Sequence, residues 1–126
     1  MEEAKIVMIE NERTTQDAAK DSFEKAGHIV VKQIFNLQDA EKYLEELANA
    51  EASGENICDV IGLDGNLSPE SSNCADGLRL YDLSKKLGIR ARLIDFSADS
   101  FRMYGIKDLP DSRKNFGNFL EIISKF

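Results

Sequence analysis

Asp64 closes an apolar run, in the stretch DVIGLDGNL (residues 59–67). A carboxylate there is costly if it stays buried and unpaired, and free if it emerges into water. Glu10, Asn11 and Glu12 follow the short run KIVMI in the same way, and Ser97 and Ala98 close ARLIDFS. A lysine, either Lys107 or Lys114, falls near the end of the last candidate strand. Carboxylate and carbonyl oxygens of this kind suit a hard cation such as Mg²⁺. A hydroxyl and an ammonium can hold phosphoryl oxygens. Brought to one place, these groups make Asp64 a nucleophile toward a phosphorylated donor, with an acyl phosphate as product.

Such convergence needs elements that end at one edge. KIVMI (5–9) reads as a strand covered on both faces. A helix is expected from Thr14 as cap, with Ala19, Phe23 and Ala26 on one stripe and Gly27 as the stop. HIVVKQIF (28–35) is a second strand. Asn36 then caps a helix with Leu37, Ala40, Leu44 and Leu47 at helical spacing, broadened by Tyr43 and Ala48. ICDVIGLD (57–64) is a third strand, followed by the polar loop GNLSPESSNCAD. GLRLYDLSKKLG reads as a helix with Leu80, Leu83 and Leu87 on one face and Gly88 as its stop. ARLIDFS (91–97) is a fourth strand, in which Asp95 is an awkward member. The last helix is expected over 115–126, with Phe116, Phe119, Leu120 and Ile123 facing in.

Alternating strands and helices imply a parallel sheet with crossover helices on both faces. The expectation is a single domain over residues 1–126: an α/β, flavodoxin-like, doubly wound sheet of five parallel strands in the order 2-1-3-4-5. Ligands and reacting groups in such sheets sit at the carboxyl ends of the strands where the order reverses, between strands 1 and 3.

Composition narrows the partners. The chain has 126 residues, 42% hydrophobic and 31% charged, as in an ordinary globular domain. A net charge of −7 argues against nucleic acid and against an anionic membrane surface. No apolar run approaches the roughly 20 residues of a membrane helix, and the acidic start MEEAKIVMIE does not resemble a signal peptide. A cytoplasmic protein is expected. Cys58 and Cys74 have no metal-ligand spacing, and His28 is read as structural. The segment ENERTT is too acidic to cradle a phosphate, so a small-molecule ligand is not expected.

In the acidic cluster after KIVMI, the DVIGLDGNL strand, the ADGLRLYDLSKKLG helix start and IDFSAD, the chain resembles a response-regulator receiver domain of the two-component systems over residues 4–126. The resemblance implies that Asp64 accepts a phosphoryl group from a histidine kinase or histidine phosphotransfer protein. It implies Mg²⁺ bound by Glu10, Asn11, Asp64 and the backbone of Asn66, with Glu12 as an alternative to Asn11. Ser97 matches the hydroxyl residue that ends strand 4, and Lys114, or alternatively Lys107, the lysine of that pattern. Beyond phosphorylation and dephosphorylation of its own Asp64, no enzyme activity is implied.

The chain departs from the pattern in four places. Glu10-Asn11 stands where two aspartates are usual, SPESSNC lengthens the loop after Asp64, and the lysine has no proline after it. The stretch ADSFRMYGIK after Ser97 is short, so the fourth helix should be one turn or absent. Lys107 would leave about four residues for a crossover that needs about a dozen. Lys114 leaves room, but places Pro110 in the fifth strand, where only an edge would tolerate it. These departures support an alternative reading, a pseudo-receiver that works as a phosphorylation-independent interaction module.

Overall fold

Lys5–Ile9 form β1, and every residue of it after Lys5 is buried, as a strand with helices on both faces requires. The computed structural model describes residues 1–126. After β1 come α1 (Arg13–Lys25), β2 (Ile29–Ile34), α2 (Leu37–Ala52), β3 (Val60–Leu63), α3 (Ala75–Leu87) and β4 (Arg92–Asp95). One 3₁₀ turn, Phe101–Tyr104, follows, and the chain ends in α4 (Phe116–Ser124). All strand pairs are parallel, in the order β2-β1-β3-β4. The order therefore reverses between β1 and β3. No helix is long and apolar enough to cross a membrane.

The pleat of β1 divides the core. Val7 and Ile9 face a cluster with Leu44 and Leu47 of α2 and Leu80 of α3. Ile6 and Met8 face the other way, with Ala19 and Phe23 of α1 and Phe119 and Ile123 of α4. Phe23 and Phe119 stack with ring centroids 4.6 Å apart. Gly62 of β3 admits this packing, because a Cβ there would stand 2.5 Å from Met8 Sδ and 2.9 Å from the Phe119 ring.

Several expectations are corrected. The sheet has four strands, not five. What remains of the fifth is one parallel bridge, Asp95 to Asp111. Asp95 N–H donates to Pro110 O and Ser112 N–H to Asp95 O. In that register the next bond back would run from the nitrogen of residue 110 to Leu93 O, and proline has no N–H to give. An edge strand tolerates proline when its nitrogen faces solvent; here it faces β4. The fourth helix is reduced as expected, to the single turn at Phe101–Tyr104.

The remaining corrections lie at element ends. α1 begins after Glu12 rather than at Thr14, and Ala26 is exposed. Glu10 accounts for the earlier start: its carboxylate accepts the Glu12 N–H at 3.0 Å, which orders the turn before the helix. β3 and β4 are shorter than the apolar runs that contain them. α3 starts at Ala75, and its stop at Gly88, with φ +67°, is where the sequence puts it.

Candidate functional site at the carboxyl ends of the strands

Glu10 and Asp64 leave β1 and β3 side by side, tied by the Asp64 N–H to Ile9 O bond of 3.0 Å. Both are buried, Glu10 completely. Glu10 Oε2 accepts from Glu12 N–H, and Asp64 Oδ1 accepts from Gly65 N–H at 2.8 Å. Below them lies Gln16 of α1, fully buried. Its amide nitrogen is 2.9 Å from Met8 O and 3.0 Å from Ile34 O, pinning α1 to the ends of β1 and β2. Gln16 went unnoticed in the sequence, because a glutamine in the first helical turn carries no signal of its own.

Lys114 reaches this pair from the chain after the vestigial fifth strand. Ser112 is fully buried; its N–H and hydroxyl both donate to Asp95 O, at 3.0 and 2.7 Å. Arg113 and Lys114 then adopt left-handed backbone, φ +55° and +53°, a conformation non-glycine residues rarely take. The double turn swings Lys114 back over the strand ends. Its Nζ stands 2.7 Å from Glu10 Oε1 and 3.6 Å from Asp64 Oδ2. The approach to Glu10 is a contact of charges without hydrogen-bond alignment, so Oε1 remains a buried acceptor with no hydrogen bond. Lys107 is exposed and enters no ion pair.

Two carboxylates against one ammonium leave the cluster short of positive charge. Burial, followed by the charge of Glu10, raises the Asp64 pKa to about 7, against the opposing pull of Lys114 and the Gly65 N–H. For Lys114, burial works downward, but the close carboxylate of Glu10 and the charge of Asp64 prevail and raise its pKa. A buried, unsatisfied carboxylate oxygen beside a carboxyl that holds its proton unusually well is a donor set fit for a further hard cation. Asn66 O accepts no hydrogen bond and follows Asp64 by two residues. Glu10, Asp64 and Asn66 O are thus the candidate ligands. Asn11 and Glu12 carry exposed side chains, and only the Glu12 main chain touches the cluster. No cluster of three or more His, Cys, Asp or Glu side chains forms a metal centre by itself.

Ser97 makes no hydrogen bond to Asp64. Its hydroxyl bonds the Asp95 carboxylate and lies 2.5 Å from Asp99 O. Asp95, the awkward residue of the fourth strand, explains this. Its carboxylate also accepts from Ser97 N–H at 3.0 Å and Phe101 N–H at 2.9 Å, so it caps the 3₁₀ turn from inside. A buried carboxylate near a short turn was the available sign of that role.

The wall opposite is the loop after Asp64. Gly77 N–H donates to Gly65 O at 2.8 Å, and Leu67 N–H to Asp76 Oδ2 at 2.9 Å. The fit is close: a Cβ on Gly77 would run into the Phe101 ring and stand 2.8 Å from Asp64 O. Within the polar insertion, Ser71 Oγ donates to Asn66 Oδ1 at 3.0 Å.

No family model and no curated protein matches the sequence. Solved structures do. The receiver domain of the histidine kinase CKI1 from Arabidopsis thaliana, in complex with Mg²⁺, superposes with a TM-score of 0.68 over 97% of this chain and 90% of that one. The chain has the receiver fold. The signal receiver domain of the response regulator NarL from Mycobacterium tuberculosis gives a TM-score of 0.71, covering 99% of this chain and 96% of that one. The receiver domain of PhyR from Erythrobacter litoralis gives 0.64, over 98% and 88%. Sequence identities of 16%, 13% and 16% make these likenesses of fold.

Proposed function

We propose that this receiver-fold chain takes a phosphoryl group on Asp64 from a histidine kinase or histidine phosphotransfer protein and signals through contact with a partner protein. The observation that carries this reading is the Lys114 ammonium held between Glu10 and Asp64 at the switch point of the sheet. An Asp64 oxygen would attack phosphorus, the bond from phosphorus to the donor's imidazole nitrogen would break, and the nitrogen would keep the electron pair. The product is an acyl phosphate on Asp64, and water attacking its phosphorus would return the carboxylate. Lys114 would offset charge on a phosphoryl oxygen. Glu10, Asp64 and Asn66 O would hold Mg²⁺, which when bound supplies positive charge to the phosphoryl oxygens. Ser97 would assist only after its hydroxyl turns from Asp95.

A pseudo-receiver is the second reading, and the Ser97 hydroxyl engaged by Asp95 and Asp99 is the observation that favours it. Incubation with acetyl phosphate and Mg²⁺, read by intact-protein mass, separates the two. Gain of one phosphoryl group, lost in Asp64→Asn and removed by hydroxylamine, supports the first reading. No gain in the wild type supports the second.

A further inference from the structure

The failure of the fifth strand leaves part of β4 open. By the alternation that sends Asp95 N–H to Pro110 O, Leu93 turns its N–H and carbonyl to the same outer side. Neither meets the segment 109–112, whose bonds to β4 begin at Asp95. The Asp108 carboxylate is drawn the other way, to Tyr81 Oη at 2.7 Å and Lys85 Nζ at 3.0 Å of α3. Between β4 and this segment lies a groove of about 410 Å³ with Leu93, Leu109, Ile89 and Phe126 in its wall.

Such an edge is a template for another strand. Its charge is unlike that of the rest of the molecule. In a chain of net charge −7, the groove carries Lys85, Arg90 and Arg92 against the single acid Asp108. Both arginines are exposed, Arg92 resting on the Phe126 ring at 4.5 Å and Arg90 donating from one guanidinium nitrogen to Glu51 O at 2.8 Å. A second copy of this chain pairing edge to edge would bring arginine toward arginine, which disfavours it.

We propose that this edge of β4 binds an extended acidic segment of a partner protein, which adds to the sheet as its missing strand. The segment bonds to the Leu93 N–H and carbonyl, sets apolar side chains on Leu93 and Leu109, and directs alternate acidic side chains to Arg90 and Arg92. Recognition of this kind takes affinity from main-chain bonds and specificity from alternate side chains. It is independent of any chemistry at Asp64.

The test is a phage-displayed library of random nonapeptides panned against the whole chain. One enriched peptide is then titrated into ¹⁵N-labelled protein. The expected result is enrichment of alternating apolar and acidic residues, with amide shifts centred on Leu93 and Leu109. N-methylation of the peptide's central amides should abolish binding. Arg90→Glu with Arg92→Glu should weaken it about tenfold or more, in a variant whose circular dichroism matches the wild type. No enrichment, enriched sequences without acidic residues, or shifts centred on the β2 edge at Ile29 and Val31 would overturn the proposal.

Discussion

Lys114 Nζ lies 2.7 Å from Oε1 of Glu10, a side chain with no solvent exposure. That pair, together with the bonds of Ser112 to Asp95 O, ties the chain after β4 to the ends of β1 and β3. Removing one partner of a buried pair leaves the other uncompensated. Lys114→Met should therefore destabilise the fold by about 3 kcal/mol at pH 8, measured by urea unfolding. It should also raise the Asp64 pKa further, since the charge of Lys114 helps to hold it down.

The pH dependence of stability has a definite sign. Asp64 titrates near 3.8 when unfolded and near 7 when folded, so between those values the native state binds more protons. Stability from this group is present in full below about pH 4 and is lost as pH rises through about 7. Asp64→Asn in metal-free buffer should raise Tm over the wild type, by a margin that grows from pH 4 to pH 7 and then levels. Thermal melts across that range check it; a margin that shrinks with rising pH contradicts it.

Asp95 should matter to local order more than Ser97. Asp95→Ala leaves the N–H groups of Ser97 and Phe101 without their acceptor, at a cost of about 2–3 kcal/mol. Hydrogen exchange at the Phe101 amide should then speed up markedly. Ser97→Ala keeps the Asp95 carboxylate in place and should change that exchange little.

Gly77→Ala should be poorly tolerated, because its Cβ would meet the Phe101 ring and Asp64 O. A loss of about 1–3 kcal/mol is expected, together with shifts of the Asp64 and Gly65 amides in the ¹⁵N spectrum. Gly88→Ala meets nothing within 4 Å, so its cost of about 1–2 kcal/mol comes from left-handed backbone at φ +67° alone, and those amides should stay unmoved.

Hydrophobic periodicity was enough to place β1 through β4 and the helices between them, because each is a local pattern that buries one face. It also put Glu10, Asp64 and Ser97 at the same edge. The fifth strand was beyond its reach. Whether Pro110 turns its nitrogen outward or toward β4 depends on the pairing register, which no local pattern encodes. The same holds for Ser97. Its position was readable, but its hydroxyl direction is set by Asp95 and by the carbonyl of Asp99 in a following turn. The choice of Lys114 over Lys107 followed from crossover length; its approach to Glu10 depends on two left-handed residues that the sequence does not announce.

The measurement that tests the central claim most directly is Mg²⁺-dependent beryllofluoride binding, followed by ¹⁵N amide shifts in the wild type and Asp64→Asn. The account predicts shifts in the wild type at Asp64, Gly65 and Ser97 and through the 112–115 turn, absent in the variant and absent without Mg²⁺. An unchanged wild-type spectrum at millimolar Mg²⁺ would contradict it, and leave the Glu10–Lys114–Asp64 cluster as a structural lock on a domain that works only by contact.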